Sequence, residues 1–140
     1  SSWCGYAFEK VCLHHLEQIT DALGIEGIIS ESCSWSYRPQ QKKNDAIQNN
    51  EENLNKGAQI DLLIDRNDNV INVCEIKFSM SKYEITKEYY SKIQERIEIF
   101  KRVTKTRKSV VPVFITSFGL SDNAYARKIA RSIEMNALFG

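Results

Sequence analysis

An α/β fold, a mixed central β-sheet flanked by helices, follows from three features of the sequence. Gly57–Ser79, "GAQIDLLIDRNDNVINVCEIKFS", reads as an apolar hairpin with strands at 58–66 and 70–78. Its turn is Asn67-Asp68-Asn69, residue types that tolerate positive φ and bond to their own backbone. A long amphipathic stretch follows, and after it the apolar run "VVPVFITSF". Strands alternating with helical segments pack as helices over a sheet. The 140 residues suffice for one domain, 1–140, with a real core.

The elements can be justified in order. "GYAFEKVCLHHLEQITDALG" has Phe8, Val11, Cys12, His15, Ile19, Ala22 and Leu23 at helical spacing, with Gly24 as a stop. "IEGIISESCSWSYRP" alternates and ends before Pro39, as a strand does. Residues 40–56 are rich in Asn and Gln and read as a long polar loop. The second helix spans 84–103, with Ile85, Tyr89, Ile93, Ile97 and Phe100 as its core stripe. "VVPVFITSF" is a buried strand, and Pro112 points to an edge or entry position. "DNAYARKIARSIE" reads as a short closing helix capped by Asp122 or Asn123. No internal repeat or domain boundary interrupts the series.

Composition bounds the function. With 42% hydrophobic and 26% charged residues the chain is ordinary globular material. A formal net charge of +1 gives no global basic field, so contact with nucleic acid requires a local patch. Lys42, Lys43, Lys82, Lys87, Lys101, Arg102, Lys105, Arg107 and Lys108 supply one around loops and the second helix. No apolar run is long enough to span a membrane, and no charged-then-apolar leader opens the chain. Cys4, Cys12, Cys33 and Cys74 are scattered without a C-x-x-C pair, and read as reduced thiols of a cytoplasmic protein. Cys12, His14 and His15 fit none of the usual zinc spacings.

The chemistry lies in the hairpin. A three-residue loop centred on Asp68 puts Asp61 opposite Glu75, and directly opposed side chains share a face. Lys77 and Gln59 fall on that face by the alternation of a strand. Opposed carboxylates repel, and a divalent cation relieves the repulsion. Mg²⁺ is usually held by one or two carboxylates plus a substrate phosphate. Such an ion polarises the phosphoryl oxygen and acidifies a bound water, and an adjacent Lys stabilises the developing charge. The competing reading is an ordinary exposed strand face, where Asp, Glu and Lys are common. Against it, Leu63, Ile71, Val73, Ile76 and Phe78 leave neither face of the hairpin plainly solvated.

Asp61 followed after the turn by Glu75-Ile76-Lys77 resembles the PD-(D/E)XK, or restriction-endonuclease-like, nuclease superfamily. More narrowly, "GYAFEKVCLHH", "GAQIDLLIDR" and "CEIKFS" resemble the nuclease-like domain at the C-terminus of prokaryotic AAA-type ATPases. The resemblance implies an αβββαβ core. It implies Mg²⁺ or Mn²⁺ held by Asp61, Glu75 and the Ile76 carbonyl, with Lys77 assisting the attacking water and Glu9 contributed by the first helix. It places a phosphate-contacting residue on the second helix, where Lys92 and Arg96 project, with Gln94 a further candidate. It departs from the family pattern in one place, where Ile60 replaces the named Pro. No phosphate-binding loop of the G-x-x-x-x-G-K-[ST] kind is present, so an ATPase domain would lie elsewhere in a longer protein.

The expectation is therefore a metal-dependent nuclease domain that hydrolyses DNA. Gln59, Lys92 and Arg96 are its candidate substrate-binding residues, and a homodimer is the arrangement common among relatives that cut both strands. The alternative is a catalytically inactive nuclease-fold module that binds nucleic acid or regulates an attached ATPase. A third reading, a protein-interaction domain using the Asn-rich arm, predicts no metal binding.

Overall fold

The computed structural model describes residues 3–5, 15–40 and 56–135. Helix α1 spans Leu16–Leu23 and helix α2 spans Lys87–Thr104. Five strands, β1 Ser30–Tyr37, β2 Ala58–Arg66, β3 Val70–Lys77, β4 Ser109–Thr116 and β5 Arg131–Glu134, form one sheet in sequence order. The first three run antiparallel, while β4 lies parallel to β3 and β5 parallel to β4. The α/β class is as the sequence predicts.

The hairpin explains why its strands are so apolar. Leu63, Ile71, Val73 and Phe114 join Ile93, Ile97 and Phe100 of α2 in one core. Leu62, Ile64, Cys74, Val113 and Ile115 join Ile19 and Leu23 of α1 in another. Successive strand residues therefore enter opposite cores, and a sheet covered on both faces gives nearly continuous apolar runs. The ladder keeps the expected register from Asp65–Ile71 to Leu62–Cys74, but it stops one rung short of Asp61 and Glu75, so these two are not the directly opposed pair that the sequence implies. Asn69 adopts φ 66°, the left-handed conformation that Asn tolerates and a three-residue loop requires.

Other element boundaries follow local chemistry. Gly24 closes α1 at φ 73°, with its N–H bonded to the Asp21 carbonyl. Thr86 caps α2 by accepting a hydrogen bond from the Tyr89 N–H at 3.1 Å, so the helix begins later than hydrophobic spacing alone implies. Ile85 is still fully buried, just ahead of the helix.

Three expectations need correction. Pro112 is not on an edge: β4 lies between β3 and β5. It is tolerated because β5 pairs only from Val113 onward, leaving that flank of Pro112 outside the ladder. The closing helix is a single 3₁₀ turn, Ala126–Lys128, followed by strand β5. Asn123 does bond back to the backbone, accepting from the Tyr125 and Ala126 N–H groups. Ile133 then docks beside Ile115 at the open edge of β4, and that tertiary contact overrides the helical spacing. Finally, Cys4 and Cys33 are joined by a disulfide rather than being reduced thiols. Gly5 pairs with Ser34 as an isolated bridge, which brings the two cysteines together. Disulfides of this kind persist in oxidising surroundings, so the pair lends no support to a reducing cytoplasm. Cys74 is buried and not disulfide-bonded. No helix among the described residues is long and apolar enough to cross a membrane.

The first-helix residues 6–14, including Glu9 and His14, and the loop residues 41–55 lie outside the described residues.

Candidate active site

The site forms where β2 and β3 part. Their ladder ends at Leu62 and Cys74. Beyond that rung the start of β2 pairs with β1, through Ile60–Trp35 and Ala58–Tyr37. The end of β3 pairs with β4, through Glu75–Phe114 and Lys77–Thr116. Each strand keeps its outer neighbour while the inner pair separates, and a cleft opens between them. Gln59, Asp61, Cys74, Glu75, Ile76, Lys77, Tyr89 and Arg96 line it, with a volume of about 260 Å³. The cleft lies on the α2 side, because Glu75 and Lys77 continue the face of Ile71 and Val73.

Of the residues singled out from the sequence, Asp61, Glu75, Ile76, Lys77, Gln59 and Arg96 thus share one cleft. Lys92 is exposed and lines an adjoining cleft of about 290 Å³ with Gly57, Gln59, Glu95 and Arg96. Glu9 cannot be placed, since it is outside the described residues. A larger opening of about 560 Å³ continues from Gln59 and Asp61 toward Trp35, Tyr37 and Arg38.

Glu75 is the most constrained member. It is only 5% exposed, and both its oxygens are engaged. Oε1 accepts from Arg96 Nη1 at 2.5 Å and Oε2 accepts from Tyr89 Oη at 2.8 Å. Both partners come from the inner face of α2, two turns apart. Burial raises the Tyr89 phenol well above its ordinary value, and the Glu75 charge and hydrogen bond push the same way. Burial pulls the Arg96 guanidinium down, but the Glu75 charge and hydrogen bond outweigh it, and the net shift is upward. Arg96 thus supplies the positive charge that balances the buried Glu75 carboxylate.

The other two polar groups are less enclosed. Asp61 is exposed and accepts from Gln59 Nε2 at 3.0 Å. Lys77 Nζ lies 4.5 Å from the Tyr89 ring centroid and 6.0 Å from that of Tyr83, an arrangement that steadies an ammonium without neutralising it. Tyr89 therefore touches both Glu75 and Lys77. Its helical spacing marks it only as a core residue. The missed signal is its hydroxyl, since a buried Tyr O–H finds a polar partner and the nearest polar face is that of the hairpin.

The donor set can be tested against a divalent ion. Among the described residues no group of three or more His, Cys, Asp or Glu side chains lies together. Two carboxylates and a backbone carbonyl at one cleft nevertheless match what Mg²⁺ takes from proteins, which leave its other positions to water and phosphate. In this structure Arg96 and Tyr89 occupy both Glu75 oxygens, so an ion there would have to displace one of them.

Compared with known proteins, the chain matches no family model, no curated protein and no solved structure.

Proposed function

We propose that this chain is a metal-dependent nuclease domain of the PD-(D/E)XK type, with a restriction-endonuclease-like core, which hydrolyses DNA phosphodiester bonds. The observation that carries the reading is the cleft itself. Asp61, Glu75 and Lys77 meet where two strands separate, at the strand ends where open α/β sheets commonly bind ligands. That the three side chains singled out by spacing line one cleft supports the reading.

Asp61, Glu75 and the Ile76 carbonyl would hold Mg²⁺ or Mn²⁺. When bound, the ion supplies Lewis-acid polarisation of the phosphoryl oxygen and acidification of a water. The chain's own residues do the rest. Lys77 presents an ammonium to the cleft, where it orients the attacking water or stabilises the charge growing on phosphate. Tyr89 holds Glu75 in one rotamer by its hydroxyl and supports Lys77 with its ring. Gln59 orients Asp61. Lys92 and Arg96 line the adjoining cleft and fit a phosphate of the same strand. Tyr37 and Arg38 in the large opening would flank its continuation, while Trp35 is buried against Phe100. Attachment to an ATPase and assembly as a homodimer belong to the same proposal and rest on the resemblance alone, while the cytoplasmic setting expected from the scattered cysteines loses that support with the Cys4–Cys33 disulfide.

The test is plasmid nicking in Mg²⁺ or Mn²⁺ by the wild type and by Lys77→Ala. Nicking that requires metal and disappears with Lys77 supports the reading, and intact plasmid in every condition overturns it.

One observation favours a second reading. Glu75 has both oxygens hydrogen-bonded by the chain itself, as a carboxylate serving structure would. A non-cutting module that binds nucleic acid through Lys92, Arg38 and their neighbours would need no ion. It predicts DNA binding of equal strength with and without divalent metal.

A further inference from the structure

We propose that Arg96 is an exchangeable internal cation: it holds Glu75 in the metal-free protein and moves to the substrate phosphate when a divalent ion takes its place. The inference rests on the nuclease reading, and it assigns Arg96 two successive partners.

Three observations support it. First, Arg96 Nη1 engages Glu75 Oε1, an oxygen that an ion held by Asp61 and Glu75 would require. An ion there would compete with the guanidinium for the Glu75 carboxylate, because two positive charges would be brought close together. Second, Arg96 is not locked in. Its side chain is 27% exposed, against 7% for Glu75. Third, Arg96 has somewhere to go. It lines both the carboxylate cleft and the adjoining cleft of Lys92, so a change of rotamer transfers it from one to the other. The acidic group there, Glu95, is paired with Lys56 at 3.1 Å. Beside Lys92 the released fork presents paired N–H donors with the geometry of a phosphate.

Tyr89 plays the opposite part. It is bonded to the other oxygen and packed by ring contacts against Tyr83 and Phe114, so it keeps Glu75 aimed at the cleft throughout the exchange. The exchange also gives the site an order. Arg96 is free for phosphate only after the ion is in place, so metal and nucleic acid bind with positive coupling.

The test titrates Mn²⁺ alone into the wild type and Arg96→Gln, reading bound metal by electron paramagnetic resonance and the melting temperature at each step. The exchange predicts that Arg96→Gln binds Mn²⁺ about tenfold more tightly, since one charge-assisted hydrogen bond no longer competes. It also predicts a larger metal-induced rise in melting temperature for the variant. Equal or weaker Mn²⁺ binding by the variant overturns it. If Arg96→Gln does not fold, the wild type suffices: its Arg96 side-chain N–H resonance should shift on addition of Mg²⁺, and a resonance unmoved while Mg²⁺ binds overturns the exchange. Plasmid nicking on the same samples separates the two claims. Nicking with unchanged Mn²⁺ affinity in the variant contradicts only the exchange. Tighter Mn²⁺ binding by the variant, with no nicking by the wild type in Mn²⁺, contradicts only the nuclease reading. Absence of Mn²⁺ binding by both chains overturns both.

Discussion

Tyr89 is the residue of helix α2 that touches both Glu75 and Lys77 of the hairpin. Its hydroxyl donates to Glu75 at 2.8 Å and its ring lies 4.5 Å beneath the Lys77 ammonium. Its pKa is raised above the ordinary 10.0 by burial first and by Glu75 second. A phenol whose folded pKa is raised contributes stability that is complete below 10.0 and is lost as pH rises through the folded value. The wild type should therefore lose stability more steeply above pH 10 than Tyr89→Phe, which has no proton to hold there. Denaturant unfolding of both chains from pH 8 to 11 measures this, and parallel curves would contradict it. Lys77→Ala should leave the fold and metal binding intact while lowering cleavage by about 10²-fold or more, the effect of losing one preorganised charge at a developing phosphate charge. Calorimetric metal titration beside a nicking assay separates the two effects.

At the scale of the element, the hairpin was the most legible part of the sequence. Asn67-Asp68-Asn69 sets the loop length, the loop sets the register, and the register puts Asp61, Glu75 and Lys77 on one face. The separation of β2 from β3 beyond Leu62 and Cys74 was not legible, because it depends on which outer neighbour each strand keeps. The hold of Arg96 on Glu75 was equally hidden, since spacing shows that Arg96 leaves the helix but not toward what. Strand β5 was misread because its four residues, Arg131–Glu134, carry too little alternation to outweigh the helical spacing of their neighbours. Helix α2 earns its place through the fully buried Ile93 and Phe100. Ile93→Ala should cost about 2–5 kcal/mol of stability in urea unfolding, by lost burial and an unfilled cavity. A cost below about 1 kcal/mol would mean that α2 does not seal that core. Asn69→Val should also destabilise, by about 1–2 kcal/mol, because a β-branched residue resists a positive φ. Asn69→Gly should not.

Across the described residues, apolar cores cover both faces of the sheet, and the candidate site lies at the point where two strands fork. The Cys4–Cys33 disulfide fastens the segment before the first helix to β1, across a sequence separation of 29. Cross-linking a loop of that length stabilises by about 3 kcal/mol through the unfolded chain. Peptide mapping without reductant should recover the linked pair, and dithiothreitol should lower the melting temperature. An unchanged melting temperature would remove the cross-link from the account of stability.

The central claim is that the forked-strand cleft cuts a phosphodiester with a bound metal. The most direct measurement is nicking of supercoiled plasmid by the wild type in Mg²⁺, in Mn²⁺ and in chelator, with Glu75→Ala and Lys77→Ala in parallel. The account predicts metal-dependent nicking by the wild type, none in chelator, and its loss in both variants. Nicking that survives either substitution, or none by a folded wild type that binds the metal, would contradict it.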